Sequence, residues 1–198
     1  MRVPPRGWTL VSMEELSLGA GRPPRRWPWV ALACAIVVGA VFSVLDARAR
    51  DREVAELLSA VEAGEAAVTY AERRVAAMVT YASPALWSSG TPPRARQDLE
   101  QVVQEAAGAG ADRVRELASE VDGADVLPWH GGVAAARDSY ATHLRQRAAY
   151  LGRVAEDVLV LYEGDTSVGP SRARVHEAFS DAVGAEGRER IRALLPLG

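Results

Sequence analysis

The side chains best suited to chemistry in this sequence are three histidines, His130, His143 and His176. Metal sites in helical bundles use Glu-x-x-His or His-x-x-x-His spacings, because these place two ligands on one helix face. Neither spacing occurs here. We therefore expect no metal site and no bound cofactor.

One of the histidines shares a helical face with two other polar residues. Tyr140, His143 and Arg147 follow one another at i, i+3 and i+7, so their side chains could line a small pocket in a helical protein. The more ordinary interpretation places Tyr140 in the core and leaves the other two in solvent. The sequence favours this second arrangement.

Motifs that support catalysis do not occur in the chain. The sequence contains no nucleophile elbow, phosphate-binding loop or dinucleotide fingerprint. Its single cysteine, Cys34, permits neither an intramolecular disulfide nor a thiolate metal site. We therefore expect a protein that is not an enzyme, with no catalytic, cofactor-binding or metal-binding residues.

Composition limits the possible partners. The 198 residues carry a net charge of -3, and all 23 basic residues are Arg. A nucleic-acid binder needs a basic surface to replace the counterions of the phosphates, so nucleic acid is not an expected partner. The abundance of Arg and Ala is typical of a high-GC genome and by itself indicates no function.

An apolar segment near the N-terminus predicts a transmembrane helix over residues 27–45. Residues 30–45 carry no charge. As a helix the nineteen residues would be about 28 Å long, close to the ~30 Å hydrocarbon thickness of a bilayer. Trp27 and Trp29 stand at one boundary, where indole rings favour the interface between lipid and water. The lipid bilayer is thus the first expected partner.

Three other interpretations of this segment are weaker. Ala47-Arg48-Ala49 resembles a signal-peptidase site, but the apolar core is long and helical spacing continues after it. Acylation of Cys34 would require most of the apolar core to precede the cysteine, whereas most of it follows. Prolines on both sides of Arg25-Arg26 fit a twin-arginine signal poorly. A cleaved signal would make the rest a secreted helical protein.

The orientation prediction places the N-terminus in the cytoplasm and the C-terminal part outside. Three arginines flank each end of the apolar segment, which is a tie under the positive-inside rule. Arg2 and Arg6 in the short N-terminal tail break the tie. Four acidic residues also dilute the positive charge on the downstream flank: Asp46, Asp51, Glu53 and Glu56.

Small residues form a ridge along the predicted transmembrane helix. The residues at i, i+4, i+8 and i+12 are Ala31, Ala35, Gly39 and Ser43. Such a ridge lets two membrane helices approach closely, which favours a homodimer through the span. An Ala-rich composition also produces such ridges by chance.

The rest of the chain predicts an all-α fold. Residues 1–26 are rich in Pro and Gly and form a disordered tail. Residues 46–198 form an antiparallel up-and-down four-helix bundle, whose first helix continues the transmembrane helix as far as Ser83-Pro84. A Thr91-Pro92 pair is expected to start the second helix. The apolar stripes of the four helices span residues 54–79, 99–121, 133–161 and 175–194.

Tryptophans in the predicted loops are candidate partner contacts. Trp87 lies in the turn-rich loop 84–93, and Trp129 and His130 follow Pro128 in the loop 121–132. We expect Trp129 to plug the membrane-proximal end of the bundle. Trp87, at the distal end with Asp165, is harder to bury and is the better candidate for a contact with a partner.

In architecture and composition the chain resembles the single-pass, Arg- and Ala-rich envelope proteins of high-GC Gram-positive bacteria. The resemblance involves no motif and assigns no site residue. The leading hypothesis is a membrane-anchored helical interaction or scaffold module of the cell envelope that binds an envelope protein. The alternative is an extracytoplasmic small-ligand sensor bundle.

Overall fold

The computed structural model describes residues 27–86, 90 and 92–197, with residues 83–86 as backbone only. It contains six helices in this part of the chain and no strand, which confirms the all-α class. They are α1 (Trp27–Leu86), α2 (Pro93–Asp122), α3 (Gly131–Glu156), α4 (Val160–Glu163), α5 (Val168–Ala182) and α6 (Ala185–Leu194). The predictions for the tail 1–26, for Trp87 and for Thr91 lie outside the described residues.

The chain divides into two units between Asp46 and Ala47. In the first unit, residues 27–45 are apolar except for Ser43, and they are exposed on every face of the helix. Within the described residues, α1 is the one helix long and apolar enough to cross a bilayer. The α1 helix continues into the second unit, where residues 47–86 form the first helical segment.

The second unit is a helical bundle in which neighbouring elements alternate in direction. The α2 and α3 helices are antiparallel, because the earlier residue of α2, Gln104, donates to the Glu156 carbonyl at the end of α3, while Asp122 at the end of α2 pairs with the earlier Arg145. The α5 helix is also antiparallel to α3. Between residues 47 and 86, α1 runs parallel to α3, as an up-and-down order requires.

The core of the bundle follows the apolar stripes. Buried positions include Leu57, Leu58, Val61, Val68 and Val75 of α1 and corresponding Val, Ala and Leu residues of the other helices. Burial of each such aliphatic side chain stabilises the folded state by about 1.5–3 kcal/mol relative to leaving it exposed. Val102 lies within the apolar stripe 99–121 but is 40% exposed, because the neighbouring Val103 faces the core.

Small residues let α2 approach α1 closely, as the Ala-Gly run at 106–111 predicts. Gly110 is buried, and a Cβ atom at this position would lie 2.8 Å from Ala71 Cβ. Ala106, Ala107 and Ala111 are buried on the same helix. Close backbones allow dispersion contacts without large side chains.

The third helix ends earlier than its apolar spacing suggests. The prediction extended it to Leu161, whereas α3 ends at Glu156. Asp157 has an extended backbone, and its Oδ1 accepts a hydrogen bond from the Leu159 backbone at 2.8 Å. Aspartate competes with the helix in this way because its short side chain bonds nearby backbone groups.

The predicted fourth helix is two helices that fold back on each other. Val183 and Gly184 are extended and separate α5 from α6. The reversal is held by Arg172 and His176 of α5, which donate to the carbonyls of Pro196 and Leu195. Leu195 is therefore fully buried, whereas Leu194, a predicted core position, is only partly buried.

Two other helix ends also differ from the prediction. The α1 helix continues past Pro84 to Leu86, because a proline removes one hydrogen bond without preventing a last turn. Pro92 is the N-cap of α2, and Pro93 is its first residue, where the missing N–H has no cost. The predicted cap and first-turn pair is thus displaced by one residue.

Two helical glycines provide a matched test of the packing. A Cβ atom on Gly64 would overlap Tyr140 Oη, which is fully buried, whereas Gly152 has no atom within 4 Å of such a Cβ. We expect Gly64→Ala to destabilise the bundle by about 1–3 kcal/mol and Gly152→Ala to stabilise it by about 0.4–1 kcal/mol. Urea unfolding of the full chain in detergent, followed by circular dichroism, measures both. Equal effects of the two substitutions would contradict this packing.

Candidate functional site

Three polar side chains of α3 point into the core of the bundle. Tyr140, His143 and Arg147 are 0%, 1% and 6% exposed. The prediction that His143 and Arg147 are solvated is therefore wrong. The sequence spacing does place them on one face, and the neighbouring elements supply polar partners that make their burial possible.

Tyr140 connects α3 to α1. Its hydroxyl lies 3.1 Å from the Val61 carbonyl and 3.3 Å from Glu65 Oε1, and both groups accept from its single proton. Gly64, between these two residues, leaves room for the phenol oxygen. Burial, followed by the charge of Glu65, raises the pKa of Tyr140 far above its ordinary value. The phenol therefore acts as a neutral structural donor.

His143 contacts α5 through Nδ1 and lies close to α1 at Nε2. Nδ1 lies 2.7 Å from Ser171 Oγ, whose hydroxyl donates to the Val168 carbonyl at 3.0 Å. Because the hydroxyl has one proton, Nδ1 donates its own hydrogen to Oγ. Nε2 lies 3.4 Å from Glu65 Oε1 but makes no well-oriented hydrogen bond within the described part of the chain. That contact is ionic when the ring is protonated.

Glu65, His143 and Ser171 have the order of residues found in acyl-transfer triads, but they lack an activated nucleophile. A catalytic serine gives its proton to the histidine, whereas the Ser171 hydroxyl donates to a backbone carbonyl. Ser171 is also 3% exposed, although it and His143 help to line a polar pocket of about 230 Å³ between α3 and α5. The arrangement joins helices and does not activate the hydroxyl.

Arg147 completes the polar face and joins three elements. Its Nη1 lies 2.7 Å from Asp165 Oδ2, and its Nη2 pairs with Glu72 of α1. Asp165 Oδ1 accepts from both the backbone and the hydroxyl of Ser167, at 3.0 and 2.5 Å. The guanidinium thus holds the α4–α5 turn against α1 and α3.

A groove opens beside Arg147, with a volume of about 540 Å³. Pockets for small molecules commonly have this size and combine apolar walls with a few polar groups. The walls come from α1, α3 and α4, and the charged groups in the lining are Glu72, Arg147 and Asp165. Burial raises the pKa of Tyr150 at its edge, and the charge of Asp165 has the same effect.

His130 is not an exposed partner contact, which corrects the prediction. It is buried, and its Nδ1 lies 2.6 Å from Glu53 Oε2. Glu53 Oε1 also accepts from the Leu127 backbone at 3.0 Å, so one carboxylate holds the α2–α3 loop against α1. Trp129 is 60% exposed and does not plug the bundle. It remains a candidate contact residue.

The remaining predicted residues lie on the first unit or outside the described residues. Trp27 and Trp29 are exposed at the start of α1, and the ridge of Ala31, Ala35, Gly39 and Ser43 is exposed. The Ser43 hydroxyl donates to the Gly39 carbonyl at 2.9 Å, which keeps its polar group within the helix. The interfacial and dimerisation roles of these residues stay predictions.

Metal-binding geometry is not formed by the described histidines. No group of three His, Cys, Asp or Glu side chains within the described residues could hold a metal ion. His176 Nε2 donates to the Leu195 carbonyl at 2.7 Å, and His130 and His143 are engaged as described above. Comparisons of the chain with protein families, with curated proteins and with solved structures found no match.

Sequence reasoning missed the acidic partners on α1, although a signal for them existed. Residues 61, 65, 68, 72 and 75 alternate in steps of four and three, which is the spacing of a core stripe. Glu65 and Glu72 occupy two of these positions between valines. A carboxylate inside an apolar stripe indicates a buried partner, and the partners are the polar residues of α3.

The contribution of the Arg147 ion pairs to the free energy of unfolding can be tested by substitution. Arg147→Met leaves Asp165, 7% exposed, and Glu72 without their cation, so we expect a loss of about 3–5 kcal/mol. Adding Glu72→Gln and Asp165→Asn removes both unpaired charges and should recover most of that loss. Urea unfolding of the full chain compares the two variants with the wild type. A triple variant no more stable than Arg147→Met would contradict the buried pairing.

Tyr140 generates a prediction for alkaline pH. Because its pKa is raised in the folded state, its contribution is complete below the unfolded pKa of about 10 and is lost as the pH rises above it. The chain has no Lys to titrate there. We expect the melting temperature to fall above about pH 10, and less steeply in Tyr140→Phe. Tyr70→Phe, at a 67% exposed position, is the control and should behave as the wild type.

Proposed function

We propose that this protein is a membrane-anchored helical interaction module without catalytic activity. The observation that carries the proposal is that the first unit contains the exposed apolar segment of α1, whereas the second unit has its own packed core. The bundle lies outside the cytoplasm and binds an envelope protein. A second copy of the chain is a further partner, through the ridge of small residues in the span.

The exposure of the apolar segment supports the anchor. Ile36, Val37, Val38, Val41 and Phe42 are each more than half exposed. In water each would forgo about 1.5–3 kcal/mol of burial, whereas a bilayer solvates them. The backbone of this segment is helical throughout, which satisfies its polar groups within the hydrocarbon.

The bundle chemistry supports a binding role. The polar side chains of α3 make contacts that hold helices together, and so does Ser171 of α5, the serine that most resembles a nucleophile. Trp129 and Tyr81 are large exposed side chains of the bundle, 60% and 74% exposed, and aromatic residues are frequent in protein interfaces. They are the first surface residues to change in a search for the envelope partner.

A specific observation favours a second candidate function, the binding of a small ligand. The groove beside Arg147 combines apolar walls with three charged side chains, and its lining residues come from several elements of the bundle. In this case the bundle is an extracytoplasmic sensor that would pass a signal to a partner protein.

Membrane topology tests the leading proposal. A reporter active only outside the cytoplasm is fused after Gly198, and cells are fractionated while the mass of the mature chain is measured. We expect an active reporter and an intact, membrane-bound chain. An inactive reporter on a membrane-bound chain would place the bundle in the cytoplasm, and a soluble chain beginning near Arg50 would identify a cleaved signal peptide. Either result would overturn the proposal.

A pair of substitutions separates anchoring from folding. Val37→Arg with Val38→Arg places two charges in the centre of the apolar segment, at about 2.5–3.5 kcal/mol each, and should move the chain out of the membrane fraction. Val102→Arg, at an exposed position of the bundle, is the control and should leave the chain membrane-bound.

A further inference from the structure

The groove beside Arg147 has an uneven charge distribution. Its lining includes one cation, Arg147, and two carboxylates, Glu72 and Asp165, so the carboxylates of the lining outnumber its cations. Arg147 is already engaged by both carboxylates and is only 6% exposed. An anionic ligand would have to displace one of them, whereas a cationic ligand would meet a net attraction.

Glu72 is the group best placed to receive such a ligand. Its side chain is 42% exposed, and its Oε1 pairs with Arg147. Within the described residues it makes no other hydrogen bond or ion pair, so its second oxygen can accept from an ammonium group at the mouth of the groove. Asp165, in contrast, is 7% exposed and uses both oxygens within the protein.

Two tyrosine rings line the same groove. Tyr150 and Tyr162 are lining residues, and the faces of tyrosine rings attract cations. The Arg153 guanidinium lies 5.8 Å from the centre of the Tyr150 ring, so one cation is already bound there at the surface. The aliphatic walls, including Val75, Val79 and Leu161, suit the apolar part of the ligand.

From these observations we infer that the groove binds a small organic cation that has an ammonium group and an apolar body. The ammonium pairs with Glu72 and contacts a tyrosine ring, and the apolar body lies against α1 and α4. This inference rests on the ligand-binding candidate above and does not depend on the orientation of the anchor.

Three probes of similar size and different charge test the inference. The full chain is placed in phosphatidylcholine nanodiscs and titrated with 3-phenylpropylammonium, 3-phenylpropanol and 3-phenylpropanoate, and heats from empty nanodiscs are subtracted. We expect the ammonium to bind about tenfold more tightly than the alcohol, with the carboxylate weakest. Equal binding of the three probes, or tightest binding of the carboxylate, would overturn the inference.

Two substitutions locate the binding. Ala76 lines the groove and Ala77, also exposed, does not. Ala76→Phe should reduce ammonium binding at least tenfold, while Ala77→Phe, the matched control, should leave it unchanged. Glu72→Gln keeps the Asp165 pair of Arg147 and should remove the preference for ammonium over alcohol. Binding that survives both Ala76→Phe and Glu72→Gln would place the ligand elsewhere and overturn the inference.

The outcome is independent of the topology experiment. A membrane-bound chain with an active reporter and no preference for the ammonium probe would support the interaction module and overturn the cation site. A soluble chain that binds the ammonium would overturn the membrane anchor and support the cation site.

Discussion

The bundle depends on the rule that a buried polar group needs a buried partner. The α3 helix turns a phenol, an imidazole and a guanidinium toward the core, and each would be unfavourable there alone. Glu65 and Glu72 of α1, Ser171 of α5 and Asp165 of the preceding turn provide the partners. The four elements must therefore pack in one axial register, in which each polar group lies next to its partner.

This rule gives a specificity that the apolar core alone lacks. Much of the interface between α1, α2 and α3 consists of Ala, Gly and Val, and such small side chains pack well in more than one register. A shift of one helical turn would break the contacts of Glu65 with Tyr140 and of Glu72 with Arg147. The polar contacts thus favour one register, although burying them costs desolvation free energy. The close approach of α2 and α1 at Gly110 adds dispersion contacts that offset part of that cost.

The same contacts relate packing to the proposed functions. Arg147 closes the core on one side and lines the groove on the other, so a ligand that changes its pairing would act on contacts between α1, α3 and the α4–α5 turn. That is the physical link a sensor would need, since a ligand shifts a conformational equilibrium only through contacts that differ between states. The exposed apolar segment of α1 is separate from these contacts. Its side chains favour a nonaqueous environment, which supports the membrane anchor.

The sequence by itself determined the all-α class, the apolar segment and most of the core, because these depend on periodicity, which is local. It also placed Tyr140, His143 and Arg147 on one face. Only the tertiary structure decided that all three are buried, because burial depends on carboxylates far away in sequence, such as Glu65 at 75 residues from Tyr140. The reversal between α5 and α6 and the burial of His130 against Glu53 were decided in the same way. In each case a polar contact between distant residues outweighed the local pattern.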